Sequence, residues 1–236
     1  MEKEILIVKN TSEEGPGLLE VLLNELGIGY QVADLQKNDS FPPVKNYGAI
    51  VVLGGPDSAN DQNDKIENEL LRIREIIEGN IPFLGICLGL QLLIKAAGGQ
   101  VIRSQPKEVG FIGPDGNHFS LELTYEGKQD PLFSDLEHSF KVFHLHGETV
   151  ELTKDCTLLA VGNFCRNQIV KVGSNAYGIQ CHFELTPEMF EIWINEDADL
   201  LELDKEVLRS EFKFIQSEYT QTGRQLFENF IKIAGF

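Results

Sequence analysis

Ile5-Leu6-Ile7-Val8 is a continuous, largely β-branched apolar run. A strand without polar alternation has to be covered on both faces, as in a parallel sheet packed between helices. The following segments can supply that cover. Pro16 opens a stretch in which Leu18, Leu19, Leu22, Leu23 and Leu26 recur at helical spacing, and Gly27 closes it. Tyr30–Leu35 reads as a second strand, Ala49–Leu53 as a third and Ile81–Ile86 as a fourth. Lys65–Glu78 is an amphipathic helix with Ile66, Leu70, Ile73 and Ile77 on one face, and Leu88–Ala97 a helix ended by Gly98-Gly99. Strands alternating with helices predict an α/β fold, a mostly parallel central sheet flanked by helices.

From Gln100 to Cys181 the pattern changes to short β-rich segments between turns such as Gly113-Pro114-Asp115-Gly116 and Gly173-Ser174-Asn175. These are expected to be antiparallel strands added to the parallel core. Beyond Pro187 the pattern is helical again, through Trp193 and then as helices over Asp204–Ser217 and Arg224–Ile233. Residues 1–194 thus read as one domain and residues 195–236 as a helical extension packed on it. Leu201, Leu203, Val207, Leu208, Phe212, Phe214, Ile215, Phe227 and Phe230 either pack that extension onto the core or form a dimer or partner face.

With 20 Lys and Arg against 37 Asp and Glu among 236 residues, the formal charge is −17. Such a chain repels phosphate backbones and anionic lipid, which excludes nucleic-acid and membrane partners. No apolar run reaches the roughly 18 residues of a spanning helix, and Met1-Glu2-Lys3-Glu4 has none of the character of a signal peptide. Cys87, Cys156, Cys165 and Cys181 include no C-x-x-C pair, so neither a zinc nor a thioredoxin motif is expected, and a reducing cytoplasmic location is. The acidity is concentrated in Asp57–Asp64 and in residues 191–206, away in sequence from the chemistry described next. It reads as a solvated surface or as a docking face for a basic partner, not as a substrate-attracting device.

Gly85-Ile86-Cys87-Leu88-Gly89 lies between a predicted strand and a predicted helix. G-x-C-x-G there is the cysteine form of a nucleophile elbow: small neighbours permit a strained turn that lifts the thiol to the amino end of a helix. Orphan N–H groups at that end favour thiolate. Such a cysteine needs a base, and the base an orienting partner. In His182-Phe183-Glu184, at the end of the strand Tyr177–Cys181, residues i and i+2 share a side, so Glu184 can hold one imidazole nitrogen while the other faces the thiol. Cys181, on the opposite face, is discounted as a rival. Gly54-Gly55-Pro56-Asp57-Ser58 follows the third strand, and an N–H there, with that of Leu88, would form an oxyanion hole.

Three blocks, Gly54–Ser58, Gly85–Leu93 and Gly178–Glu184, together with Phe143–Thr149 and Asn167-Gln168, resemble the signatures of class I, triad-type glutamine amidotransferases. The likeness is to the stand-alone branch similar to the glutaminase domain of GMP synthase. The resemblance implies the flavodoxin-like fold of that family, with Cys87 as nucleophile, His182 as general acid/base and Glu184 as its orienting carboxylate. It implies oxyanion contacts from the Gly55 and Leu88 amides, and substrate contacts from Gln91 and the Leu145 and Gly147 backbone. No metal or organic cofactor is implied. The sequence departs from the family's His-Pro-Glu at Phe183 and from its usual aromatic at Cys181.

The implied reaction hydrolyses the glutamine γ-amide through a thioester, giving glutamate and ammonia. Residues 195–236 are too few for a synthase domain, so a separate ammonia-accepting synthase is one expectation. Hydrolysis of another γ-glutamyl amide or peptide is a second, and a catalytically silent regulatory subunit a third.

Overall fold

The computed structural model of the chain describes residues 3–236; Met1 and Glu2, and the reading placed on them, lie outside it. Its strands are β1 (Ile5–Lys9), β2 (Tyr30–Asp34), β3 (Ala49–Val52), β4 (Phe83–Ile86), β5 (Gln100–Gly110), β6 (Ser120–Leu123), β7 (Ser139–Lys141), β8 (His144–Glu151), β9 (Cys156–Gly162), β10 (Ile169–Val172) and β11 (Ala176–Ile179). Its helices are α1 (Leu18–Leu26), α2 (Asp64–Glu78), α3 (Leu88–Ala96), α4 (Pro187–Glu196) and α5 (Lys205–Ile233).

A nine-stranded sheet runs in the order β2-β1-β3-β4-β11-β10-β9-β6-β7, and β5 and β8 form a separate antiparallel ribbon. From β2 to β11 neighbouring strands are parallel. From β11 to β7 they are antiparallel. The apolar runs behave as their composition requires. Ile5 and Ile7 enter one core, with α1, α4 and α5, while Leu6 and Val8 enter the other, with α2 and α3. Both faces of the sheet are therefore covered.

Three sequence expectations need correction. β11 was grouped with the antiparallel additions, yet it pairs in parallel with β4 from Ala176↔Phe83 to Ile179↔Ile86 and completes the parallel core. On α2 the buried stripe also takes in Ile76 and the fully buried Glu69, neither of them expected, while Ile77 packs partly buried against the same core. The two carboxy-terminal helices are one 29-residue helix. Gly223, which falls between the two expected spans, serves close packing: a Cβ there would lie 2.6 Å from the Phe183 carbonyl oxygen. Leu208, Phe212, Ile215, Phe227 and Phe230 face the core beside α1, whereas Leu201, Leu203, Val207 and Phe214 are exposed.

The carboxyl ends of β1, β3, β4 and β11 lie side by side and lead into Asn10, Gly54, Cys87 and the segment preceding His182. Functional groups in open parallel sheets gather at that edge.

Candidate active site

The elbow is set by sterics. Cys87 holds φ 52° and ψ −105°, a conformation that costs a non-glycine residue about 1–3 kcal/mol. Its N–H donates to the Ile179 carbonyl of β11 at 2.7 Å, tying the turn to the neighbouring strand. Only glycine fits on either side. A Cβ on Gly85 would lie 2.3 Å from the Gly89 carbonyl oxygen, and one on Gly89 would lie 2.2 Å from that of Val52. α3 starts at Leu88, so Cys87 stands at its amino end, where first-turn N–H groups have no partner within the helix.

His182 is held in place by four contacts. Its N–H donates to the Phe143 carbonyl at 3.0 Å, and its own carbonyl accepts from Tyr219 Oη of α5 at 2.9 Å. The ring Nδ1–H donates to Glu184 Oε1 at 2.6 Å, and the ring meets Trp193 edge-on with centroids 5.1 Å apart. Nε2 is buried and has no hydrogen-bond partner. Burial acts to lower the imidazole pKa, but the Glu184 carboxylate and the neighbouring thiol more than reverse it, so the net shift is well above the ordinary histidine value.

Glu184 is fixed twice over, since its Oε2 accepts the Phe183 N–H at 2.9 Å. A proline at position 183, as in the family pattern, has no such donor. Phe183 itself is buried against Phe140 and Tyr219.

Cys87 and His182 converge on Gly54: a Cβ on that glycine would lie 3.4 Å from both Cys87 Cβ and His182 Cε1. They open onto a cavity of about 350 Å³ whose wall also includes Gly55, Leu88, Gln91, Leu145 and Gly147. Every site residue expected from the sequence lines this cavity except Glu184, which sits behind His182. The Cys87 thiol lies 3.8 Å from the Leu145 carbonyl oxygen, and Gln91 Nε2 donates to the Glu148 carbonyl at 3.4 Å. Cys181 is fully buried, and burial pushes its thiol well above the usual range, which disfavours a nucleophilic role.

Sequence reasoning missed several neighbours. Gln180 Nε2 lies 3.8 Å from Cys87 Sγ, and its place inside the Gly178–Glu184 block was a usable signal. Glu14, in the loop before α1, points at Gly54 and also lines the cavity; its Oε2 is buried without a partner, and burial raises the carboxyl pKa to about 7. The acidic stretches, judged remote from the chemistry, border it: Asp57, Asp197 and Asp199 lie on the cavity wall. Folding brings together what the sequence separates.

Glu108, His144 and His146 are the cluster with metal-ligand spacing among the described residues. Glu108 already accepts from the Cys165 N–H and from Gln168 Nε2, and it faces His146 Nε2 at 2.8 Å. Its two hydrogen bonds tie β5 to the segment between β9 and β10, with the His146 ring of β8 packed against the same carboxylate.

The profile of the class-I glutamine amidotransferases matches residues 18–197. The glutamine amidotransferase-like protein YfeJ of Salmonella typhimurium is 33% identical over 159 residues, 65% of this chain and 64% of that protein. The GMP synthase [glutamine-hydrolyzing] of Borrelia garinii is 27% identical over 196 residues, 80% of this chain but only 34% of the synthase. The chain thus spans less than two thirds of either relative. Among solved structures, a glutamine amidotransferase from Thermotoga maritima is 25% identical with TM-score 0.85, covering 98% of this chain and 100% of that one. A second, from Methylobacillus flagellatus, has TM-score 0.86 at 24% identity, covering 98% and 95%.

Proposed function

Because the chain belongs to the class-I glutamine amidotransferase family, we propose that it hydrolyses a γ-glutamyl amide, glutamine being the smallest, through a thioester on Cys87. The observation that carries this reading is the crowding of Cys87 and His182 against Gly54, with Glu184 bonded to the far side of the imidazole.

The Cys87 thiolate attacks the γ-carbonyl carbon. Charge that develops on the carbonyl oxygen is met by the N–H groups of Gly55 and Leu88. His182 gives its Nε2 proton to the departing nitrogen as the C–N bond breaks, leaving a glutamyl thioester. His182 then takes a proton from water, whose oxygen displaces the sulfur and frees glutamate. Glu184 fixes the ring and stabilises the imidazolium in both steps. Gln91 and the backbone of Leu145 and Gly147 hold the glutamyl moiety.

Residues 195–236 are best taken as part of the same unit, since α5 braces the His182 carbonyl through Tyr219. Ammonia from glutamine would pass to a separate acceptor enzyme, while a larger γ-glutamyl amide would release its amine. The test is release of glutamate from glutamine and from γ-glutamyl dipeptides by the wild-type chain and by Cys87→Ser. Absence of release from all of them, together with failure of Cys87 to take up a glutamine-like electrophile, would identify a silent subunit instead.

A further inference from the structure

A second cavity, of about 390 Å³, adjoins the first and shares Glu14, Pro56, Leu145 and Asp197 with it. Trp193, whose edge meets the His182 ring, forms part of its wall. It therefore lies beside the imidazole that, in the chemistry proposed above, protonates the departing nitrogen. Ammonia needs no such room.

The two cavities differ in charge balance. Around Cys87, Asp57 is paired with Lys65 and Asp199 with Lys107, each at 2.6 Å, and Glu148 accepts from Ser58 at 2.8 Å. The second cavity has four carboxyl groups on its wall and neither lysine nor arginine: Glu14 and Asp197, which it shares with the first, and Glu13 and Glu196, which it adds. Of the nearby ammonium groups, Lys9 donates to the Ser12 carbonyl at 2.7 Å and lies 3.9 Å from Asp34, and Lys37 lies 3.5 Å from Asp34; neither is on the cavity wall. Glu14 is the telling member: its Oε2 is buried without a partner at the junction of the two cavities. A buried carboxylate oxygen with no donor calls for one from a ligand.

We propose that this cavity is a leaving-group site for a cationic amine, so that the enzyme's substrates include γ-glutamyl amides of diamines or related basic amines. The inference rests on the thioester chemistry proposed above and adds the identity of the departing group. The same C–N bond breaks: the Cys87 sulfur bonds the γ-carbon, the amine leaves with the His182 proton, and water later releases glutamate. The remote ammonium of the departing amine is held by Glu14 with Glu196 and Asp197. An aliphatic linker lies against Trp193.

Three conjugates of equal length separate charge from size: γ-glutamylputrescine, γ-glutamylpentylamide and γ-glutamyl-4-aminobutyrate. The expected order of kcat/KM is cationic, neutral, anionic, with roughly tenfold between the first two at low salt and less at high salt. In Glu14→Gln the cationic-to-neutral ratio falls toward one. Turnover of all three with equal or reversed preference, or a preference indifferent to salt, overturns the leaving-group site while leaving the thioester chemistry standing. If neither glutamine nor any conjugate is turned over, the chemistry fails and binding decides the site separately. Calorimetry on Cys87→Ser then either shows tighter binding of the putrescine conjugate, which supports the site, or equal binding of all three, which rejects it.

Discussion

The backbone N–H of Phe183 donates to Glu184 Oε2 at 2.9 Å, while Oε1 of the same carboxylate accepts from His182. The residue between the histidine and the glutamate thus supplies one of the bonds that orient the pair. Phe183→Leu keeps that donor and loses ring contacts, whereas Phe183→Pro loses both. Hydrogen bonds to charged groups are worth about 1.5–3 kcal/mol, so kcat should fall at least about tenfold further in the proline variant than in the leucine one. Equal kcat values would remove Phe183 from the orienting set.

Glu184→Gln separates orientation from charge. The carboxylate is the main opponent of burial at His182, so without it the imidazole pKa should drop, and histidine NMR would follow the shift toward acid. Hydrolysis should fall by roughly 10²–10⁴-fold. An unmoved titration would mean that the 2.6 Å contact does not control the ring.

Glu69 gives a pH-dependent stability. Burial raises its carboxyl from 4.5 to about 7, and neither oxygen has a hydrogen-bond partner. Between these values the folded chain keeps a proton that the unfolded chain releases. Stability is therefore full below pH 4.5 and is lost as pH rises through about 7. Relative to Glu69→Gln, the wild type should lose about 3 kcal/mol between pH 4.5 and 8. Urea titration of both proteins across that range checks it, and a constant difference would contradict it.

Gly223→Ala sets helix propensity against packing. Alanine improves an exposed helix by about 1 kcal/mol, but here its Cβ would press on the Phe183 carbonyl at 2.6 Å. A backbone contact that close cannot relax cheaply, so net destabilisation of about 1–3 kcal/mol is expected. A raised Tm would show that α5 is looser against the His182 segment than the structure has it.

What the sequence made legible follows from where the information is local. Ile5–Val8 and Ala49–Leu53 show their double burial in composition, and the glycines about Cys87 show the elbow because the turn itself excludes side chains. β11 was misread because its parallel partner is β4, more than ninety residues earlier, and alternation carries no record of a distant partner. α5 was read as two helices, over 204–217 and 224–233, because the turn between those spans shows its packing only in the fold, where Gly223 admits the Phe183 carbonyl. Glu13-Glu14-Gly15-Pro16 reads as an ordinary loop, and only the approach of Glu14 to Gly54 marks it. The acidic stretches seemed remote because distance along the chain was the sole measure available, whereas Asp57 and Asp197 meet at one cavity.

The central claim is that Cys87 carries the glutamyl group. Acid quenching of the wild-type chain during turnover of glutamine, followed by intact-mass measurement and peptide mapping, tests it most directly. The account predicts a single glutamyl adduct on the peptide containing Cys87, discharged by hydroxylamine and absent from Cys87→Ser. Turnover with no adduct in the quenched enzyme, and undiminished in Cys87→Ser, would contradict it.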